Sequence, residues 1–280
     1  MTVIASFRDG LRILSDNPRL LAAAVIVASV GHLATFGELA GVPYGTVLGN
    51  VGWVLTFPFL LSGFIGMAAP AIENADASFD RFLRAGRRHY GRMLVAPIVL
   101  VAIVIGIFAL IGVLSVVPLV LLFVADVAVG GAPLIAAGAF FVAGPWITLA
   151  VLLVTIVSLQ FYATAIVVDN EDVTDAFRRS AGLVRQNVGS VLGFTLLWGV
   201  LTGAVLSPGY LLAGALTEAG TVDHLTFGSQ LPQPVLVPVL VLVTAVAFAY
   251  SYTVYTAYYV RLVDETALRT KGTSTDPNRQ

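Results

Sequence analysis

Charge is scarce in this chain. Asp, Glu, Lys and Arg make up 11% of its 280 residues, whereas a soluble domain carries about 25%. A soluble fold of this length has room for a large core but still needs a charged surface, and there are too few charges to make one. Cysteine is absent, which excludes disulfides, thiolate catalysis and Cys-ligated metals but says nothing about compartment. The net charge of −1 leaves no global basic field for nucleic acid. Lysine is nearly missing too: apart from Lys271, every basic residue is arginine.

What the chain has instead is long apolar runs. Hydrophobic residues make up 58% of it, and the mean hydropathy is +0.93. The runs cover roughly 19–37, 46–71, 93–117, 133–168, 188–216 and 235–261. About 20 residues span a bilayer core, so the expected fold is an all-α polytopic membrane bundle of six transmembrane helices. It forms one membrane domain, 1–266, followed by a polar tail, 267–280. Arg8, Arg12 and Arg19 precede the first run, as in a signal peptide. Asp9 and Asp16 sit among them, however, and no A-x-A site follows, so the segment reads as a retained helix. The run 133–168 is too long for one simple span: Pro145 kinks it, or its lower part projects beyond the bilayer. Pro118, Asp126 and Gly130-Gly131 mark 118–132 as a turn region, with a re-entrant segment within 118–145 as the alternative.

The basic residues fall in four groups. Arg8, Arg12 and Arg19 precede the first span. Arg81, Arg84, Arg87, Arg88 and Arg92 lie between the second and third. Arg178, Arg179 and Arg185 lie between the fourth and fifth. Arg261, Arg269, Lys271 and Arg279 follow the sixth. Together they account for all 15. The other three connections hold only acids: Glu38; Asp126; Glu218 and Asp223. The positive-inside rule then places both termini in the cytoplasm of a multi-pass protein of the cell membrane.

Three of the basic segments read as short amphipathic helices lying in the membrane interface. At 100° per residue Phe79, Phe82, Leu83 and Tyr90 share one arc, opposite Arg81, Arg84, Arg87 and Arg88. Val173, Ala176, Phe177, Leu183 and Val184 oppose Asp175, Arg178, Arg179 and Arg185. Phe7, Leu11 and Leu14 oppose Arg8, Asp9 and Arg12. Lipid headgroups are the expected partners of Arg81, Arg84, Arg87, Arg88, Arg178, Arg179 and Arg185, at about 1 kcal/mol each near an anionic surface. The segments also align. Asp80-x-Phe82-x-Arg84 matches Asp175-x-Phe177-x-Arg179 at a spacing of 95, and Phe7-Arg8 with Asn17 matches Phe177-Arg178 with Asn187 at 170. The pattern is threefold, an interfacial helix followed by a hairpin of two spans; three unrelated basic loops are the alternative.

Residues 159–197 carry an acidic turn (Asp169, Glu171, Asp172), then Ala176 to Ser180 in the pattern A-[FL]-R-R-S, then Asn187 before the next span. This stretch resembles the membrane domain of glycerophosphoryl diester phosphodiesterases and of related standalone proteins, including uncharacterised haloarchaeal ones. Elsewhere only the hydropathy profile matches. The resemblance implies a six-helix membrane domain. It does not imply the phosphodiesterase activity, which belongs to a separate soluble barrel that this chain has no room for.

Chemistry-bearing constellations are few. His32, His89 and His224 are not at metal-ligand spacing, and HExxH, G-x-S-x-G and P-loop motifs are all missing. Asp9-Gly10-x-Arg12 matches only the opening of a CDP-alcohol phosphotransferase motif, without the further aspartates that hold its metals. No catalytic residue, metal or cofactor is expected, and the chain does not read as an enzyme. His32 and Gln160 are the intramembrane polar candidates, either as functional groups or as interhelical hydrogen-bond glue. Gly189, Gly193, Gly199 and Gly203 share an arc of the fifth span, suited to intramolecular packing or to a homo-oligomer or membrane-protein partner. Tyr250, Tyr252, Tyr255, Tyr258 and Tyr259 read as an interface belt. The expected function is that of a non-enzymatic membrane or lipid-associated protein; the alternative is a permease for a neutral or amphipathic small molecule.

Overall fold

The computed structural model describes residues 2–73, 75–129, 133–216 and 233–274, and these contain helices but no strand. In order they are α1 (Thr2–Asp16), α2 (Pro18–Gly31), α3 (Leu33–Leu39), α4 (Gly45–Ile72), α5 (Phe79–Val129), α6 (Pro133–Leu159), α7 (Tyr162–Val168), α8 (Val173–Gln186), α9 (Val188–Leu216) and α10 (Gln233–Ser274). Two compact units emerge. One is Met1–Leu94 with Phe161–Gln280, and the other is Val95–Gln160. Five stretches are long and apolar enough to cross a membrane: Gly45–Ile72, Phe79–Leu114, Gly144–Val168, Val188–Gly209 and Val237–Leu268. A sixth is counted if α1 and α2, which meet at 94°, are taken as one broken span. The chain is thus a helical, membrane-embedded protein.

Breaks and continuities differ from the sequence reading in four places. The first apolar run is interrupted at His32 (φ −96°, ψ 10°), which belongs to neither α2 nor α3. The basic segment 79–92 is not a separate short helix: it runs unbroken into α5, a helix of 51 residues. That helix passes through Pro118 and Asp126, where the sequence reading expects a turn, and Gly130-Gly131 lie outside the described residues. Without water, each unpaired backbone group costs several kcal/mol, and an apolar segment therefore stays helical through a proline. The long run 133–168 breaks at Gln160–Phe161 rather than at Pro145, which lies inside α6. There the Phe161 amide donates to Ser180 Oγ at 3.1 Å in place of a helical carbonyl. Finally, α10 continues to Ser274, past the expected end of the membrane domain, because no proline intervenes before Pro277. Glu218, Asp223 and His224 lie outside the described residues.

Within the first unit the threefold pattern has a physical counterpart. Residues Ser6, Phe7, Gly10, Ile13 and Leu14 of α1 are buried, and so, at a spacing of 170, are Ala176, Phe177, Ser180, Leu183 and Val184 of α8. Each helix ends at an asparagine whose Nδ2 donates to the carbonyl four residues back: Asn17 to Ile13 and Asn187 to Leu183, both at 3.1 Å. The Asn17 backbone amide also donates to the Ile13 carbonyl, whereas the Asn187 amide goes to Val184, so at the end of α8 the side chain serves the carbonyl that the helix end leaves orphaned. Small residues set the packing distances. A Cβ at Gly10 would collide with Val254 of α10, and one at Gly66 of α4 with Ala85 of α5. α8 in turn packs on α7. Within the first unit each basic helix thus leans on an element that precedes it in the repeat order, α1 on α10, early α5 on α4 and α8 on α7.

The buried faces are narrower than the apolar arcs. Leu11 is 61% exposed, Leu83 44% and Phe79 38%, while Phe82, Gly86 and His89 form the buried stripe of early α5. Ile4 and Leu11 therefore point outward beside Arg8 and Arg12, and Phe79 and Leu83 beside Arg84 and Arg87.

Candidate functional site

Two features stand out in the first unit, a basic end and a cavity. The basic end is built by the starts of α1, α5 and α8 and the end of α10. Asp9 of α1 pairs with Arg261 of α10. Arg179 of α8 pairs with Asp169 at the end of α7, and Tyr259 of α10 donates to the same carboxylate. Asp9 and Arg179 are 170 residues apart, so equivalent places carry opposite charges and make the same kind of tie. Burial works against the Arg179 charge, but the hydrogen bond with Tyr259 and the Asp169 carboxylate outweigh it and raise its pKa above the ordinary arginine value.

Three more ties join each basic helix to the loop or extension that closes its own repeat. The Ala77 amide donates to Asn17 Oδ1 at 3.2 Å. Arg92 donates to the Asn170 carbonyl at 3.1 Å and pairs with Asp172 at 3.0 Å. Asn187 donates to Thr266 at 3.2 Å.

These ties sort the arginines of the sequence reading. Arg81 donates to the Asp76 carbonyl, Arg178 faces Asp175 at 3.4 Å while 82% exposed, and Arg179 is held internally. Arg84, Arg87, Arg88 and Arg185 are exposed and have no acidic or hydrogen-bond partner among the described residues, and Arg8 of α1 is like them.

The cavity lies where the first apolar run is interrupted, and it encloses about 510 Å³ between α2, α4, α9 and α10. His32 shares a hydrogen bond with Thr244 at 2.9 Å, and Thr202 shares one with Ser251 at 3.1 Å. Trp198 Nε1 donates to the Ser251 carbonyl at 3.1 Å. Trp53 and Trp198 supply the largest apolar side chains of the lining, Gly31 also lines it, and no charged side chain among the described residues does. Sequence reasoning singled out His32 but missed Thr202, Thr244, Ser251 and both tryptophans. Isolated hydroxyl residues in apolar runs carry no distinguishing pattern, and only packing brings them together.

Gln160 sits at the turn between α6 and α7 and is not one of the residues lining the cavity. The tyrosines do not form a belt. Tyr255, Tyr258 and Tyr259 are buried, and with Phe161 and Phe194 they make an aromatic core in which Phe194 stacks on Tyr258 at 3.9 Å. Among the described residues no group of three or more His, Cys, Asp or Glu is placed to hold a metal.

No curated protein and no solved structure matches the chain. A family model described as a domain of unknown function (DUF7847) matches residues 1–262, nearly the whole of the helical chain set out above, and the chain belongs to that family.

Proposed function

We propose that this chain is a non-enzymatic, multi-pass protein of the cell membrane whose basic end, with both termini, faces the cytoplasm and holds anionic lipid headgroups. One observation carries the reading: Arg8, Arg84, Arg87, Arg88 and Arg185 are exposed and unpaired at one end of a membrane-embedded unit. Arginines at a bilayer surface are attracted to anionic headgroups, and an excess of them marks the cytoplasmic side. Two further facts support it. α1 turns 94° from α2, so where α2 crosses the bilayer α1 lies along its surface. Ile4, Leu11, Phe79 and Leu83 point outward beside the arginines, as in an interfacial helix. The resemblance of 159–197 to the phosphodiesterase membrane domain is consistent with this architecture and adds no catalytic role.

The test is native mass spectrometry from nanodiscs of mixed phosphatidylcholine and phosphatidylglycerol. The unaltered protein should retain phosphatidylglycerol selectively, and the variant R84Q/R87Q/R88Q should lose most of that selectivity while keeping its helicity. Equal retention by both proteins would sink the proposal. A second reading, a permease for a neutral or amphipathic molecule, is favoured by the interrupted helix and its cavity, because transporters place binding sites at such breaks.

A further inference from the structure

The geometry points to the cavity at His32 as a binding site for an uncharged, lipid-soluble molecule that carries one or two hydrogen-bond-accepting oxygens. The inference does not depend on the arginine end. Its volume of about 510 Å³ lies within the range of about 300–1,000 Å³ typical of small-molecule sites. Among the described residues no cation or anion lines it, so a charged ligand would enter without a counter-charge in a low-dielectric setting.

The polar groups decide what it reads. In the His32–Thr244 pair one group donates to the other. If the imidazole donates, the threonine keeps its O–H; if the threonine donates, the second ring nitrogen keeps its N–H. In either tautomer one donor is left over. The Thr202–Ser251 pair likewise keeps one O–H, because a hydroxyl that accepts still has its own proton to give. Thr244 and Ser251 are two helical turns apart on α10, which separates the two donors by about 10 Å along the axis. Trp53 and Trp198 line the same space, and their rings suit an apolar and unsaturated body. Measured along α2, His32 is about 20 Å from Arg19, well inside a hydrocarbon core about 30 Å thick. A ligand at that depth arrives from the bilayer. Two sources share this chemistry, a free polyprenyl-type alcohol or carbonyl compound and a neutral glycerolipid.

The experiment uses the full chain in nanodiscs and a diazirine analogue of farnesol as the probe, with cross-links mapped by peptide mass spectrometry. Labelling should saturate, should concentrate on α2, α9 and α10 around His32 and Trp198, and should fall when unlabelled competitor is added. Competition by farnesol but not by dioleoylglycerol assigns the site to a free lipid-soluble molecule; the reverse assigns it to a glycerolipid. The variant H32F/T202V/T244V/S251A removes all four groups that can present the two donors, and its half-saturation should rise at least tenfold. Gly31→Leu, which adds a side chain to the lining, should abolish labelling with helicity unchanged. Labelling that never saturates, or that is the same in the unaltered protein and in H32F/T202V/T244V/S251A, would overturn the assignment.

Discussion

Asn17 and Asn187 end their helices in the same way, and each then reaches a different partner with the rest of its amide. The self-contained bond to the carbonyl four residues back stops the helix; the outward bond, to Ala77 or Thr266, fixes the direction in which the chain leaves. Ser180 acts at a distance in sequence but in direct contact, supplying the acceptor that lets the backbone break at Phe161. Ser180→Ala leaves that buried amide without an acceptor and should lower stability by about 1–3 kcal/mol, measured by thermal or denaturant unfolding in detergent. Arg179 and the arginines of early α5 look alike in sequence and should behave in opposite ways. R179Q should destabilise the protein, because Asp169 loses its cation. R84Q/R87Q/R88Q should change unfolding by no more than about 0.5 kcal/mol, since those side chains have no acidic or hydrogen-bond partner among the described residues.

Between elements, distance is set by what is missing from the side chain. α3 and α4 approach so closely that a Cβ at Gly45 would lie 2.6 Å from the Gly37 carbonyl carbon, and one at Gly49 would collide with the Ala34 backbone. Gly45 and Gly49 are four apart and line one face, the small-xxx-small arrangement of closely packed membrane helices. On α9 the glycines behave differently. A Cβ at Gly189, Gly193, Gly199 or Gly203 meets nothing within 4 Å among the described residues, so the stripe that suited intramolecular packing is unpacked by them. Gly49→Leu should therefore cost at least about 1–3 kcal/mol through overpacking, whereas Gly193→Leu should leave unfolding of the monomer unchanged or slightly improved, since leucine is the better helix former. The same unfolding assay compares the two, and a large loss at Gly193 would show that face to be covered.

At the scale of the whole chain, the decisive contact joins its two ends: within the first unit α1, the first element, packs on α10, the last. The Asp9–Arg261 pair joins residues 252 apart in sequence, so its ends meet only in the finished fold. D9R and R261D should each lower the unfolding temperature, and the double exchange D9R/R261D should recover most of the loss. Failure to recover would mean that the pair does not hold α1 on α10. The absence of cysteine makes orientation directly measurable. Ser15→Cys at the basic end should react with a membrane-impermeant maleimide only after cells are permeabilised. Tyr44→Cys, at an 81% exposed position beyond the far end of α3, should react in intact cells.

Much of this was legible in the order of residues alone. Hydropathy is a local property, and a helix satisfies the backbone of an apolar segment from within that segment; the helical class and the apolar segments follow from that. The repeat was visible through Phe7, Phe82 and Phe177, which are all buried. What the sequence did not determine is where helices stop and which faces close. α5 runs straight through Pro118, while the run 133–168 breaks at Phe161, where Ser180, nineteen residues on, offers the backbone a partner. Leu11 and Leu83 fall on apolar arcs yet face outward, since a neighbour with a gap to fill, not periodicity, selects the buried side. The cavity is the clearest case. His32 was conspicuous by itself, but Thr244 and Ser251 acquire meaning only when α10 is laid against α2 and α9. A binding site made of isolated hydroxyls and tryptophans from four helices exists only in the tertiary structure.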